Sequence, residues 1–341
     1  MTDATPTIVE PDAITAPTEP RTPSRRRWVV LAVVVAFVVL VPFARFLNSY
    51  NYVLQIGLVI LMWIAMTSSW NILGGYTGYI SLGHNVFFGV GGYVAGLLLL
   101  EFGWSPFVTA PLAGLFAMLL GLIAGLITYR TRGPSFIIST IALLLVVTLL
   151  MDNWSYLGGA SGLSLPLPGF EISWLKVPFY YAMFIAAVAA VLLGYRVQHS
   201  KFGLALRAIA SDEVKAEVAG INTRKFKVMA FALSAFFPGV VGAFWGYSLA
   251  YLRPVIFLII AVAARMVLMV IIGGRGTVAG PVIGAVLVVL LDEASVTLFG
   301  ASELNLVITG ALLVVTLLFF PMGIVGTLRD KNRLPSWLNW D

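Results

Sequence analysis

The sequence predicts an all-α protein: a polytopic transmembrane helical bundle of about ten spans, with broken Gly-rich helices and one short helix on the cytoplasmic side. Three observations carry that reading. The 341 residues are 60% hydrophobic and only 11% charged, with a mean hydropathy of +0.97, whereas a soluble domain is about a quarter charged. Apolar runs of roughly 20 residues, the length that crosses a bilayer at 1.5 Å rise per residue, recur along the whole chain. Lys and Arg cluster in the short segments between those runs, so the net charge of +6 reflects membrane topology and does not point to a nucleic-acid partner. The chain has no cysteine, which excludes a disulfide framework and a thiolate metal site.

The elements follow in order. Residues 1–27, "MTDATPTIVEPDAITAPTEPRTPSRRR", are rich in Pro and Thr, have little to bury, and read as a disordered cytoplasmic tail. Arg25, Arg26 and Arg27 resemble the charged start of a signal peptide. The apolar run after them is too long for a signal core and lacks a small-residue cleavage pattern, so it reads as an uncleaved first span. The expected spans are 28–46, 51–73, 76–100, 106–129, 134–151, 177–195, 226–250, 255–272, 280–298 and 303–320, each bounded by Gly, Pro or charge. The membrane domain thus covers 28–326, a cytoplasmic loop covers 196–225, and 327–341 form a C-terminal tail. With both termini inside, only Arg45, Lys176, Arg253 and Arg265 of the 21 Lys and Arg fall outside the inner segments. That bias places the chain as a multi-pass membrane protein with both termini cytoplasmic.

The stretch "GGYTGYISLGHNVFFGVGGYVAG" (Gly74–Gly96) is weak as a helix, since each glycine costs about 1 kcal/mol relative to alanine. It also carries Ser81, His84 and Asn85, which hydrocarbon tolerates poorly. Broken helices occur in transporters where they line a cavity. If Tyr76–Leu82 is extended, it reaches about 20 Å into the bilayer at roughly 3.3 Å per residue. A helix beginning near Ser81–His84 would offer free N–H groups to a carboxylate, with Ser81 as its cap. Ser81, Gly83, His84 and Asn85 are therefore expected either to line a substrate path or to pack. Gly92 and Gly96, four apart, suit close helix approach. Gly74, Gly75 and Gly78 belong to the same joint. A second joint, "GGRGTVAG", holds Gly273, Gly274 and Gly276 at the same side. Neither joint is a phosphate-binding loop, since no Gly-Lys-Ser/Thr follows. His199 lies in the cytoplasmic loop, so a metal at His84 is not expected.

The loop "RVQHSKFGLALRAIASDEVKAEVAGINTRKFK" (Arg196–Lys227) contains a short helix from Asp212 to Ala219. Ser211 or Asp212 caps it, Glu213 sits near its positive end, and Gly220 supplies the stop. Small Ala216 and Ala219 suit a surface gripped by a cytoplasmic partner, with Glu213 and Glu217 pairing at its rim. A plain surface helix is the alternative.

This loop, read on as "RAIASDEVKAEVAGINTRKFKVMAFALSAFFPGVVGAFWG", resembles a signature of the inner-membrane permeases of branched-chain amino-acid ABC transporters. "NILGGYTGYISLGHNVFFGVGGYVAGLL", "MVLMVIIGGRGTVAGPVIGAVLVVLLDE" and "FFPMGIVG" resemble the same family in the same order, over most of Asn71–Gly326. The resemblance implies a permease that pairs with a homologous second permease, two cytoplasmic ATP-binding subunits and a periplasmic or extracellular substrate-binding protein. It makes Asp212–Asn222, with Asp212, Glu213, Ala216, Glu217 and Gly220, the segment that couples to an ATPase. This chain would itself bind no cofactor, because the partner subunits use the ATP. Two departures stand out. Phe320 replaces the Arg usual before the late Pro-x-Gly. Arg265 lies within the eighth span, where it should face a cavity or a partner carboxylate, or else snorkel; it is included in the expected path.

The implied substrate is a small zwitterion with an apolar side chain, such as leucine, isoleucine or valine; urea or short amides are the alternative. A stand-alone secondary transporter or channel needs mid-span carboxylates, yet Asp152, Asp292 and Glu293 fall near span ends. An intramembrane enzyme would need paired catalytic groups at midplane depth, and one His with one Asn does not supply them.

Overall fold

The computed structural model describes residues 50–169, 174–300 and 323–330, with isolated positions in 35–43 and 307–320. The 1–27 tail and most of the expected first and tenth spans lie outside the described residues. Helix α1 spans Tyr50–Gly74, α2 Asn85–Phe102, α3 Pro106–Thr128 and α4 Pro134–Asn153. Then come α5 (Lys176–Gln198), α6 (Lys201–Ser211), α7 (Glu213–Val218) and α8 (Thr223–Leu249). The series closes with α9 (Pro254–Phe257), α10 (Ile260–Gly273), α11 (Ala279–Phe299) and α12 (Gly323–Asp330). Among the described residues, 8 helical segments are long and apolar enough to cross a membrane, α9 and α10 together making one of them.

Several boundaries differ from the sequence expectation, each for a local reason. The span expected at 76–100 becomes helical only at Asn85. The chain before it, through Ser81 and Gly83, is non-helical. The eighth span is broken at Leu258–Ile259, where Ile259 is extended at ψ 137°. The 196–225 loop is largely ordered as α6 and α7, with Ser200 and Asp212 as their caps. Helix α12 continues past residue 326 into the expected C-terminal tail.

Helix α8 is the spine, packed on α1, α2 and α3, while α5 packs on α1 and α11 on α10. Small residues make the α3–α8 contact. Ala110, Ala113, Gly114, Ala117, Gly121, Ala124 and Gly125 repeat at helical spacing along the buried face of α3. A Cβ at Gly121 would lie 3.1 Å from the Phe231 carbonyl oxygen, and one at Gly125 3.1 Å from Val228 Cα. Lipid offers no hydrophobic drive between helices, so such close backbone approach supplies the dispersion contact instead. At the α2–α8 crossing, side chains at Gly91 or Gly242 would collide with the opposing backbone.

The two ends of the bundle differ. One gathers α6, α7, the 129–133 turn and both Gly-rich joints. The other carries the 154–169 segment, whose Leu163–Ser164 (β1) pairs antiparallel with Tyr251–Leu252 (β2). Arg253 Nε donates to the Ala160 carbonyl there at 3.1 Å.

Candidate functional site

The non-helical segment before α2 is held by hydrogen bonds from α1, α4, α8 and, through Tyr79, α7. Trp70 Nε1 of α1 donates to the Ser81 carbonyl at 2.9 Å. The Leu82 N–H donates to Thr140 Oγ1 of α4 at 3.1 Å. His84 bridges to α8: its Nε2 lies 2.8 Å from Ser234 Oγ and its Nδ1 2.9 Å from Ser81 Oγ. The Ser234 hydroxyl already donates to the Phe231 carbonyl at 2.9 Å. Its oxygen therefore accepts from Nε2–H, and Nδ1 accepts from the Ser81 hydroxyl, which fixes the tautomer of a neutral ring. The imidazole also stacks on Phe231, with ring centroids 5.3 Å apart.

Ser81, His84 and Asn85 are all fully buried. The helix cap is His84 in an α conformation and makes no side-chain cap bond. Ser81 is therefore not the cap; its hydroxyl receives the Gly83 N–H at 3.4 Å and turns to the imidazole. A side chain at Gly83 would strike the Thr140 carbonyl. Asn85 Nδ2 donates to the carbonyls of Phe257 (3.2 Å) and Ile259 (2.9 Å). These carbonyls flank the break between α9 and α10, so Asn85 ties the joint before α2 to the broken eighth span. Unpaired carbonyls at membrane depth are costly, which explains an amide at this position.

The two Gly-rich joints meet. Asn71, near the end of α1, donates from Nδ2 to the Thr277 carbonyl at 2.9 Å and accepts the Gly276 N–H on Oδ1 at 3.0 Å. A Cβ on Gly276 would sit 3.4 Å from the Gly75 carbonyl oxygen, and one on Gly78 3.3 Å from Arg275 Nη2. Gly78, Gly274 and Gly276 have φ of +82°, +130° and +78°, values that favour glycine. Side chains at Gly74 and Gly75 would collide with Trp70 and Asn71, and one at Gly273 with the Gly280 carbonyl. Gly92 faces the Gly242 carbonyl across the α2–α8 crossing, and Gly96 faces Leu252 and Leu165.

Helix α7 has two faces. Asp212 caps it, its Oδ1 accepting the Val214 and Lys215 N–H groups at 3.0 and 3.1 Å. The Lys215 N–H holds this exposed carboxyl below its ordinary range. At the far end the Ile221 N–H reaches the Ala216 carbonyl at 3.0 Å across Gly220, whose φ is +86°. Glu213 turns inward, its side chain only 11% exposed, and accepts from Arg132 Nε at 3.2 Å and Lys227 Nζ at 3.3 Å. It also accepts the hydroxyl of Tyr79, from the segment before α2. Lys227 is buried, donates to the Tyr129 carbonyl at 2.9 Å, and lies 4.1 Å from the centre of the Tyr79 ring. Glu217 accepts from Thr223 Oγ1 at 2.6 Å. Ala216 is buried, whereas Val214 and Val218 are exposed, the latter at 85%. The expectation that Ala216 and Glu213 face a partner is thereby corrected: within this chain both point inward. The residues of α7 left exposed are Val214, Lys215, Glu217 and Val218.

Arg265 on α10 pairs with Asp292 on α11 and lies 5.3 Å from the Trp63 ring centre of α1. It is thus remote in contact from the Ser81–Asn85 node. A cavity of about 500 Å³ opens between α3, α5 and α8, lined by residues such as Phe107, Tyr181, Phe236 and Phe244. Ser81, His84, Asn85 and Arg265 do not line it.

Sequence reasoning missed Asn71, Tyr79, Arg132, Lys227 and Ser234. A signal existed for two: Ser234 interrupts an apolar run, and Lys227 sits inside the first turns of a span. Nothing local marks Tyr79 or Asn71.

Comparison with known proteins now decides the family. Residues 52–317 match the family described as branched-chain amino acid transport system, permease component. The chain belongs to that family. It is 26% identical over 309 residues to the high-affinity branched-chain amino acid transport system permease protein LivM of Escherichia coli K12, covering 83% of this chain and 72% of that one. It is 27% identical over 277 residues to a probable branched-chain amino acid transport permease, LivH, of Methanocaldococcus jannaschii, covering 73% of this chain and 83% of that one. No solved structure matches. The chain is accordingly a polytopic membrane permease.

Proposed function

We propose that the chain is the permease subunit of an ATP-driven importer for branched-chain amino acids. It works with a homologous second permease, two cytoplasmic ATP-binding subunits and a substrate-binding protein outside the membrane. The single observation that best supports this reading is the construction of α7: one face is anchored by Glu213 and Ala216, and the other leaves Val214 and Val218 exposed at the basic end of the bundle. A secondary transporter has no use for such a helix. ATP is hydrolysed on the partner subunits, and this chain binds no cofactor. The path through the membrane runs past the Ser81–Asn85 node, whose Ser81, His84 and Asn85 side chains are hydrogen-bonded within the chain. Arg265 is engaged by Asp292 and not by this node.

Both termini and the 196–225 loop are cytoplasmic in this reading. Because the chain has no cysteine, single cysteines test it cleanly. Those replacing Ser200 and Ser336 should resist an impermeant thiol reagent in intact cells, and one replacing Ser161 should react. Labelling at Ser200 from outside would overturn the orientation. The substrate is tested in vesicles holding the whole complex, with labelled leucine, isoleucine, valine and urea. ATP-dependent leucine uptake is expected; uptake of urea alone would move the substrate class to amides.

A further inference from the structure

We propose that Glu213 is the positioning residue that passes movement of α7 to the segment entering α2, through Tyr79. The inference rests on the reading of an ATP-driven permease, and it assigns to Glu213 a task inside this chain that is separate from docking. Three donors on three different elements converge on one carboxylate: Tyr79 from the segment before α2, Arg132 from the α3–α4 turn, and Lys227 from α8. Charge-assisted bonds of this kind are short and directional, and their strength rises where water is excluded. Lys227, 4% exposed, satisfies its charge largely on Glu213 and on the Tyr129 and Thr131 carbonyls. A displacement of α7 must therefore carry these groups along or leave a buried ammonium without its counter-charge, which is strongly unfavourable.

The contacts continue toward the node from both ends. His84 follows Tyr79 by five positions, at most about 16 Å of chain at roughly 3.3 Å per residue. His84 is tied to Ser234, which lies on the same helix as Lys227 and two turns further along. Tyr79 and Lys227 thus grip Glu213 at one end, while His84 and Ser234 grip each other at the other. The outer face of α7, with Val214 and Val218, takes no part in this cluster and remains available to a partner. The second Gly-rich joint is tied instead to α1, through Asn71.

The experiment uses the reconstituted complex of both permeases and the ATP-binding subunits, with Ile80→Cys as the one thiol in this chain. Its maleimide labelling rate is read without nucleotide and with ATP plus vanadate, and ATPase retention, hydrolysis and leucine uptake per ATP are read in parallel. In the otherwise native chain, ATP should change the labelling rate several-fold. Glu213→Gln should abolish that change and lower uptake per ATP about tenfold, with ATPase retention and hydrolysis within about twofold of normal. Tyr79→Phe removes one hydroxyl and leaves the Arg132 and Lys227 contacts, so it should fold and should reduce both readouts about threefold. If Glu213→Gln yields no folded permease, Tyr79→Phe alone decides. An ATP response of Ile80→Cys that is absent in the native chain, or unaltered in Tyr79→Phe, overturns the proposal. Loss of ATPase retention in Glu213→Gln also overturns it, since Glu213 would then be a docking group. The labelling readout is independent of substrate, so a complex that responds to ATP yet imports no branched-chain amino acid would sink the substrate reading and leave this one standing.

Discussion

The two Gly-rich joints have similar composition and sit side by side, yet they are built differently. The joint at Gly273–Gly280 is a tight backbone turn. Backbone carbonyls leave no room for a Cβ at Gly273 and Gly280, positive φ favours glycine at Gly274 and Gly276, and one side chain, Asn71, pins the turn to α1. The joint at Gly74–His84 opens into a non-helical segment, and side chains from α1, α4, α7 and α8 hold that segment in place. The first kind of joint is a compact turn closed on its own backbone. The second is fixed by hydrogen bonds that can be exchanged, which is the requirement for a part that moves during a transport cycle.

Substitutions can break this contrast. The largest effect is expected from Gly273→Leu. It drives a side chain into the Gly280 backbone and should cost about 3 kcal/mol or more, seen as loss of folded protein in detergent. Recovery of normal yield would mean that the turn is not sterically fixed. Next come His84→Leu and Asn71→Leu, one at each joint. His84→Leu strands the buried Ser81 hydroxyl, while Ser234 keeps its bond to the Phe231 carbonyl; Asn71→Leu strands the half-buried Gly276 N–H and Thr277 carbonyl. Each should cost about 1–3 kcal/mol for every group left unpaired. They should separate in function: uptake per assembled complex falls in His84→Leu and stays near normal in Asn71→Leu. Equal losses in both would erase the proposed division between moving and fixed joints.

The faces of α7 give a smaller, sharper pair. Ala216→Trp overfills a buried position and should destabilise by about 1–3 kcal/mol, lowering the melting temperature of the isolated permease. Val218→Asp should leave that melting temperature unchanged and reduce co-purification of the ATP-binding subunits. The reverse pattern would mean that α7 is turned the other way in the complex. The smallest effect belongs to Asp212→Ala, which removes the α7 cap. The folded-state carboxyl titrates below its ordinary value. Its contribution is therefore fully present above about pH 4, the unfolded value, and is lost as pH falls through the lower folded value. The melting difference between native and Asp212→Ala chains should be constant at neutral pH and vanish in stronger acid.

Much of the architecture was legible from the chain alone, because hydropathy reports directly on what lipid accepts. The apolar runs at 106–129, 134–151 and 177–195 appear as α3, α4 and α5 with ends shifted by a few residues. The short helix after Asp212 was legible because its cap and its Gly220 stop are local signals. The run at 76–100 was less so: its apolar residues favour a span, and only the polar cluster within it hints at the break before Asn85.

What sequence by itself determined here is the class of solvent each segment meets and the local chemistry of turns and caps, since both depend on residues a few positions apart. The inward turn of Glu213 and Ala216, the partners of His84, and the meeting of the two joints at Asn71 were decided only by tertiary structure. Each depends on groups far apart in sequence, such as Tyr79 with Glu213, His84 with Ser234 and Asn71 with Thr277. A carboxylate on a short surface helix can be satisfied by water, by a partner or by its own chain with the same sequence signature. The choice follows from where helix packing brings Arg132 and Lys227, and no local pattern encodes that placement.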